Sequence, residues 1–346
     1  MPSLGKQIDR FLDARAPRVP SAGLSLARRL DLLAGHGDFS LAYSTAVQPA
    51  LSYFGDADGY IAFRTKMGRH YALADPVADP ANHESLIRRF VEAAGRPWFL
   101  QAGERTARLL SGLGYQVGRL GVDTRLPLPA HDFSGRRNET VRYSERWLLR
   151  NGYRLAEEDG ASRPVGEIER LSHDWRAARI VSGREMSFLN RPFTALPEPG
   201  MRRFALTAAK GQLVALLDFD PIQRGGRVIG YTTSFKRKVA GATPHAEIGL
   251  TKFAVDRFRA EGLETVTLGL SPLSGLAPSG LPESAFWRGA FRRAYESKLV
   301  NRHVFNLKGQ AAFKRRFHGV EEPVYIAFDG AGAIGMLALL RLLKLF

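Results

Sequence analysis

The feature that most constrains this chain is a pair of long β-type runs joined by a short glycine turn. Residues 212–222 and 227–238 are rich in apolar and β-branched side chains and flank a turn at 223–226, which is typical of a β-hairpin. A helical pattern follows at about 245–261, and then a β-type run at 264–270. A hairpin that leads into a helix and a further strand predicts a mixed α/β unit, because the helix must cover one face of the sheet.

The first half of the chain shows the same order of elements. Short β-type runs precede a helical pattern at about 82–95, which is followed by strands at 97–102 and 115–128. We therefore predict an α/β (α+β) protein with two similar domains, each a mixed, twisted sheet flanked by helices. The expected boundaries are an N-terminal extension over residues 1–21, a first domain over 22–155, a second domain over 156–330 and an amphipathic tail over 331–346.

Basic residues outnumber acidic residues by a wide margin. Fifty lysines and arginines against thirty-four acids give a formal net charge of +16, which favours a polyanionic partner such as RNA or an anionic membrane surface. A basic, solvated surface without such a partner is the alternative. The sequence has no cysteine, which excludes disulfides and cysteine nucleophiles. It also has no apolar run of the roughly 20 residues that span a membrane and no secretory signal pattern, so we expect a cytoplasmic protein.

The order of elements in the second half resembles that of GNAT-type acyltransferases. In that fold two central strands splay apart, and the opening exposes backbone N–H groups that stabilise a developing oxyanion. Members that use coenzyme A carry a glycine-containing phosphate loop before the helix. Residues 238–243 match that loop only in a degenerate form, so we expect no cofactor.

Three segments resemble the aminoacyl-phosphatidylglycerol synthase family, also called multiple peptide resistance factor. The run VTLGLSPLSGL at 266–276 and the run FNLKGQAAFKRRF at 305–317 retain most of the characteristic residues of two family motifs. A third segment, GREMSFLNRPF at 183–193, retains Glu185 and Phe188. The resemblance extends over about residues 36–328. Two ten-residue matches in the correct order are far more specific than a lone glycine motif.

The resemblance implies a tandem GNAT fold, an aminoacyl-tRNA donor and an anionic lipid acceptor such as phosphatidylglycerol. We therefore expect an aminoacyltransferase that acts as a peripheral protein at the inner face of the cell membrane and contributes to antimicrobial peptide resistance. Family members usually carry a transmembrane flippase domain before this unit, so we expect the synthase part or a stand-alone relative. Two alternatives stay open: a coenzyme-A-dependent N-acyltransferase, and a non-catalytic RNA- or membrane-binding relative.

One departure from the family pattern bears on the transferred amino acid. The family has an acidic residue after the hairpin strand, where this chain has the cationic run at 235–238. Glu247, at the start of the next helix, is the candidate that replaces it as amine binder or proton acceptor, and His245 and Tyr231 are the other predicted catalytic residues. Helix capping is the alternative role for Glu247 and His245, because an acid in the first turn is favourable to the helix dipole.

The predicted substrate-binding residues lie in or beside the segments that resemble the family. They are Lys238, Ser271, Ser274, Asn306, Lys308, Lys314, Arg316 and Glu185. The cations suit a lipid phosphate or the tRNA terminus, since arginine forms paired hydrogen bonds to phosphate and lysine acts as a point charge. A solvated helix face is the alternative. We predict no metal site, because the histidine and aspartate at 173–174 have no second histidine nearby.

The splayed strands and the family motifs together predict where the site lies. We expect the gap between the strands at 227–238 and 264–270 to open onto a cavity. Its expected lining residues are Tyr231, Glu247, Ser271, Asn306 and Lys314. The carboxylate of Glu247 among neighbouring cations is expected to stay ionised and able to bind an amine.

The C-terminal segment at 332–346 is apolar on most of its helical circumference, with Arg341 and Lys344 on one edge. It is too short to span a bilayer, so the pattern favours a helix that lies in the headgroup region of a membrane. The alternative is a helix that covers a core patch of its own domain.

Overall fold

A computed structural model describes residues 4–159, 163–178, 188–330 and 332–344. Within these ranges the chain forms eleven α-helices and twelve strands. The helices are α1 (Leu4–Asp13), α2 (Leu26–His36), α3 (Ala42–Val47), α4 (His83–Ala93), α5 (Glu104–Gly112), α6 (Glu139–Arg150), α7 (Val165–Ala177), α8 (His245–Ala260), α9 (Ala285–Glu296), α10 (Leu307–Arg315) and α11 (Ala333–Leu342). The strands are β1 (Ser52–Asp56), β2 (Gly59–Lys66), β3 (Arg69–Leu73), β4 (Val77–Ala78), β5 (Trp98–Ala102), β6 (Gln116–Pro127), β7 (Arg154–Glu158), β8 (Arg202–Thr207), β9 (Leu213–Arg224), β10 (Arg227–Lys238), β11 (Thr265–Pro272) and β12 (Val320–Phe328).

All of these strands belong to one sheet. Its order is β1-β2-β3-β5-β12-β6-β11-β10-β9-β8-β7, and β4 pairs with β2. Most neighbours are antiparallel, but β3 pairs with β5 and β10 pairs with β11 in parallel, as a strand–helix–strand crossover requires. Each half thus has a hairpin, a crossover helix and a parallel strand pair, which confirms the predicted mixed α/β class with tandem GNAT-like halves.

The two halves exchange their last strands. β6, the last strand of the first half, pairs with β11 of the second half. β12, at the end of the second half, lies between β5 and β6. The sheet is therefore continuous across the boundary predicted at residues 155 and 156, and that boundary stays a prediction.

The segment at 39–45 does not form the strand that its composition predicts. Residues 42–47 form helix α3 instead. Its residues 42–46 are all buried, and the Tyr43 hydroxyl donates to the Pro199 carbonyl at 2.9 Å. Packing on several sides at once overrides the β propensity of this short run, because such propensity is weak compared with burial.

The C-terminal segment packs on the sheet rather than presenting its apolar face outward. Met336, Leu339 and Leu342 of α11 are buried in a cluster with Trp98 and Tyr71. The Tyr71 hydroxyl donates to the Gly335 carbonyl at 2.9 Å. This packing supports the alternative of a helix that covers a core patch of its own domain. Ile334 and Leu337 stay exposed, so membrane contact of the tail stays a prediction.

The polar edge of α11 is tied to the N-terminal extension. Asp9 of α1 accepts from Arg341 at 3.0 Å and from Lys66 of β2 at 2.6 Å. The predicted extension is therefore connected to both the tail and the first hairpin. These ion pairs are partly exposed, so each contributes little to stability by itself.

Two leucines of α11 test this packing. Leu339 is 4% exposed and Leu337 is 46% exposed. We expect Leu339→Ala to lower the free energy of unfolding by about 2–5 kcal/mol, because truncation leaves a cavity in the core. The matched change Leu337→Ala should cost about 0.5 kcal/mol or less. Urea denaturation measures both values, and equal costs for the two variants would contradict the assigned packing.

Candidate functional site

The central parallel strands separate part of the way along their length. The pairing of β10 with β11 extends over Gly230–Thr232 and Thr265–Thr267. Beyond it, β11 contains a bulge, because the register against β6 shifts between Thr267 and Leu270. Gly269 lies in this bulge with φ +74°, a conformation that glycine adopts without steric cost. The diverging strands open onto a cavity of about 530 Å³.

Lys314 of α10 enters the cavity at the bulge. Its amine donates to the carbonyls of Gly269 and Leu270, both at 2.7 Å, and the residue is only 6% exposed. The pKa of Lys314 is lowered to about 7, mainly by burial; the charge of Asp123 opposes this shift, and the charge of Lys236 adds to it. The amine therefore changes its charge near neutral pH.

Asp123 of β6 stands opposite Leu270 of β11 in the register. One of its oxygens, Oδ2, accepts a short hydrogen bond from the Ser40 hydroxyl. That hydroxyl lies 2.9 Å from the Thr267 hydroxyl, which donates to the hydroxyl of Thr232 at 2.8 Å. A chain of hydroxyls thus joins the carboxylate to the point where β10 and β11 separate.

The first half of the chain contributes the opposite wall of the same cavity. Its parallel pair, β3 and β5, ends beside Ala74 and Gln101, and both residues have positive φ. Asp75 follows, and its Oδ1 accepts from the Gly103 N–H at 2.9 Å. Burial raises the pKa of Asp75. Asp75, Gln101 and Gly103 all line the cavity, so the splayed strand pairs of both halves meet at one space.

A buried ion pair supports the floor of the cavity. Arg191 donates to both oxygens of Asp220, at 3.1 and 2.7 Å, and also pairs with Glu198. Asp220 lines the cavity. A paired and hydrogen-bonded charge of this kind holds its neighbours in place, and removal of one partner would leave an uncompensated buried charge.

The sequence predicts five residues to line the cavity. Lys314 is among the lining residues, and Tyr231, Glu247, Ser271 and Asn306 are not. Tyr231 lies in the core instead, stacked on Phe258 with 4.6 Å between ring centroids. Glu247 pairs with Lys238 at 2.9 Å, outside the lining residues. The expectation that Tyr231 and Glu247 line the cavity is wrong, because Tyr231 packs against Phe258 of α8 and Glu247, which lies on α8 itself, is directed to Lys238.

Two further predicted residues have clear structural partners. His245 lies 3.1 Å from the Ser144 hydroxyl, with its ring 4.9 Å from that of Trp147. Asn306 caps α10, since its side chain accepts from the Gly309 N–H at 2.9 Å.

The remaining predicted substrate-binding residues are spread around the site. Ser271 is buried beside the cavity, and the Ser274 hydroxyl accepts from Arg315 at 2.9 Å. Lys308 lies 6.0 Å from the ring centre of Tyr295, and Arg316 is exposed. Glu185 lies outside the described residues. The structure therefore places Lys314 at the cavity, and the other predicted cations are not among the lining residues.

The sequence interpretation missed Asp123, Asp75 and Ser40. Asp123 belongs to the strand that the first half donates to the second, and Asp75 belongs to the half without sharp motifs. The signal in the sequence that could have indicated Asp123 is that it is the one acid in the run at 116–127. Within the described residues there is no cluster of three or more potential metal ligands and no helix long and apolar enough to cross a membrane.

The buried amine predicts a specific pH dependence of stability. The folded-state pKa of Lys314, about 7, lies below the value of about 10.4 for an unfolded lysine. Between these values the unfolded chain binds more protons, so the charged amine destabilises the fold at low pH and this cost is relieved as the pH rises. Each pH unit in that range is worth up to about 1.4 kcal/mol.

Comparison with Lys314→Met isolates this contribution. We expect the stability of the unsubstituted protein, relative to that of Lys314→Met, to rise between about pH 7 and 10 in urea denaturation. The exposed Lys210 provides the control, and Lys210→Met should show no such trend. A pH-independent difference for Lys314→Met would contradict the lowered pKa.

Comparisons with known proteins agree with the fold described above. A search of solved structures finds L-PGS from Bacillus licheniformis, with a TM-score of 0.75, 18% identity, and coverage of 94% of this chain and 99% of that chain. The C-terminal domain of a putative lysylphosphatidylglycerol synthetase from Agrobacterium fabrum matches with a TM-score of 0.73, 23% identity, and coverage of 91% and 94%. At these identities the likeness shows the fold.

Sequence comparisons identify the family. An uncharacterised protein from Corynebacterium glutamicum is 23% identical over 283 residues, which cover 78% of this chain and 34% of that protein. The chain thus spans about a third of the length of that curated relative. The family described as phosphatidylglycerol lysyltransferase, C-terminal, matches residues 30–328. This match covers most of the chain, so the chain belongs to the phosphatidylglycerol lysyltransferase C-terminal family.

Proposed function

We propose that this chain transfers an aminoacyl group from aminoacyl-tRNA to a hydroxyl of an anionic lipid of the phosphatidylglycerol type. Family membership supports the lipid acceptor and the acyl-transfer chemistry. The donor and the place of action are part of the proposal: the protein works in the cytoplasm, peripherally at the inner face of the membrane. A net charge of +16 suits both polyanionic partners.

The observation that carries the proposal is the buried amine of Lys314 at the strand bulge. A neutral lysine amine has two N–H groups and one lone pair. Two carbonyls accept from this amine at 2.7 Å, so the lone pair of its neutral form is left to face a substrate. A base with a pKa of about 7 is well matched to proton transfer at neutral pH.

In the proposed reaction, the amine of Lys314 accepts the proton of the lipid hydroxyl while that oxygen attacks the ester carbonyl carbon. The developing oxyanion is stabilised by backbone N–H groups where β10 and β11 diverge. The bond to the ribose oxygen of the tRNA then breaks, and the proton on Lys314 passes to that oxygen. A new ester joins the amino acid to the lipid, and no cofactor is consumed.

The charge of the product accounts for the proposed physiological role of the reaction. An amino acid esterified to an anionic lipid adds an ammonium group to the headgroup and thus lowers the negative surface potential of the membrane. Cationic peptides are attracted by that potential. The proposed role in resistance to antimicrobial peptides follows from this electrostatic change.

Loss of the buried amine tests the assigned base. We expect Lys314→Met to lower transfer by about 10²- to 10⁴-fold, because general base catalysis contributes on that order. The assay combines tRNA charged with labelled amino acids and vesicles containing phosphatidylglycerol, followed by lipid extraction. Lys210→Met should keep full activity.

Other donors and a fold check complete this test. Thermal melting must show that Lys314→Met is folded at the assay temperature. Labelled lipid formed from acyl-coenzyme A but not from charged tRNA would contradict the proposed donor. Full activity of a folded Lys314→Met would contradict the proposed base while leaving the transfer itself in place.

The proposed donor also predicts salt-sensitive RNA binding. Lysine and arginine contacts to phosphates release counterions, so affinity falls as salt rises. We expect the dissociation constant for tRNA to increase by at least about tenfold between about 50 and 200 mM salt. Filter binding or fluorescence anisotropy measures it. An affinity that does not change with salt would argue against tRNA as a partner.

A further inference from the structure

The structure leaves one buried carboxylate oxygen at the cavity without a partner. Asp123 is 9% exposed and lines the cavity. Its Oδ2 is held by the Ser40 hydroxyl, whereas its Oδ1 has no hydrogen-bond partner among the described residues. An unsatisfied buried acceptor is costly, and a charged one more so. A ligand that supplies the missing donor would remove this cost.

The position of Asp123 restricts which donor group that is. It stands opposite Leu270, whose carbonyl accepts from the Lys314 amine. The carboxylate therefore lies beside the point where the reacting ester carbonyl is proposed to bind. In an aminoacyl ester, the α-ammonium group is separated from that carbonyl carbon by a single carbon atom.

We propose that Asp123 binds the α-ammonium group of the aminoacyl donor and makes the site selective for donors whose amino group is free. The inference rests on the proposed function, because it names the part of that donor which the site recognises. It concerns binding alone and requires no covalent step. The ammonium group donates to Oδ1, while Ser40 holds Oδ2 and fixes the plane of the carboxylate.

The other acids of the cavity are already engaged by cations or by the backbone. Asp220 pairs with Arg191 at 2.7 Å, Glu322 with Arg125 at 2.9 Å, and Glu104 with Arg108 at 2.5 Å. Asp75 accepts from the Gly103 N–H and lies on the wall formed by the first half. Asp123 is the acid of this set that adjoins Lys314.

Lys314 does not replace the donor as counterion of Asp123. Its amine donates to the carbonyls of Gly269 and Leu270, and its burial favours the neutral form. The neutral form of this amine carries no charge that could compensate the charge of Asp123. An incoming ammonium group compensates this charge and removes the cost of the unsatisfied oxygen in the same step.

A pair of small probes tests the inference without tRNA or lipid. Alaninamide carries the α-ammonium group, and propionamide has the same shape without it. We expect calorimetric titration to detect binding of alaninamide but not of propionamide. Asp123→Asn should weaken alaninamide binding by about tenfold or more, the usual scale of a charge-assisted hydrogen bond. Asp58→Asn, the same change at an exposed acid outside the cavity lining, should alter it by less than about twofold.

A donor with a blocked amine supplies a second measurement. The unsubstituted protein should transfer from aminoacyl-tRNA but not from N-acetyl-aminoacyl-tRNA. Equal use of both donors, absence of alaninamide binding, or unchanged binding in Asp123→Asn would each overturn the assignment of Asp123. Melting curves must show that Asp123→Asn is folded. Amine-dependent binding that needs Asp123, without lipid transfer from any charged tRNA, would support the inference and contradict the proposed function.

Discussion

The contact between the Lys314 amine and the carbonyls of the β11 bulge is the interaction on which the site depends. If β11 were regular, its backbone hydrogen bonds to the neighbouring strands would continue through Gly269. The carbonyls of Gly269 and Leu270 would then not point to one donor. The bulge turns them toward α10, and the positive φ of Gly269 makes this possible without steric cost. Bulges often redirect groups beside active sites in this way. The same local distortion opens the strands, places the amine and sets its environment.

The exchange of the last strands explains why the cavity belongs to both halves. β6 brings Asp123 to β11. β12 pairs with β6 and places Glu322 opposite Asp123. Neither half alone contains the amine, the carboxylate and the opposite wall. A sheet that is continuous through β5, β12, β6 and β11 holds these groups on rigid elements, which is the usual requirement for an accurate site.

Local patterns predicted much of the fold. The hairpin at β9 and β10, the helix α8 and the strand β11 follow from short-range signals, and each lies within a few residues of its expected position. Lys314 was found because it lies in a sharp motif. Strand exchange cannot be read from such signals, because it depends on pairing between residues about 200 positions apart, as in Arg125 and Val320. Asp123 was missed for the same reason.

The tail and Glu247 show a second limit of sequence reasoning. An apolar helix has the same sequence pattern whether it covers a membrane or a protein core. The packing of α11 on Trp98 and Tyr71 shows that this helix covers a core patch. Glu247 follows a cationic run in sequence, but α8 directs its carboxylate to Lys238. Spacing along the chain therefore does not show which acid faces the cavity.

Lys236 connects the departure from the family pattern to the chemistry of the cavity. It lies in the stretch where the family has an acid, it lines the cavity, and its charge lowers the pKa of Lys314. An acid at that place would instead favour the charged amine. The cation thus favours the neutral form of Lys314, and in the proposed site Asp123 meets the positive charge of the substrate. In the proposed reaction, recognition of the amine and activation of the hydroxyl are divided between Asp123 and Lys314, two groups that line one cavity from opposite halves of the chain.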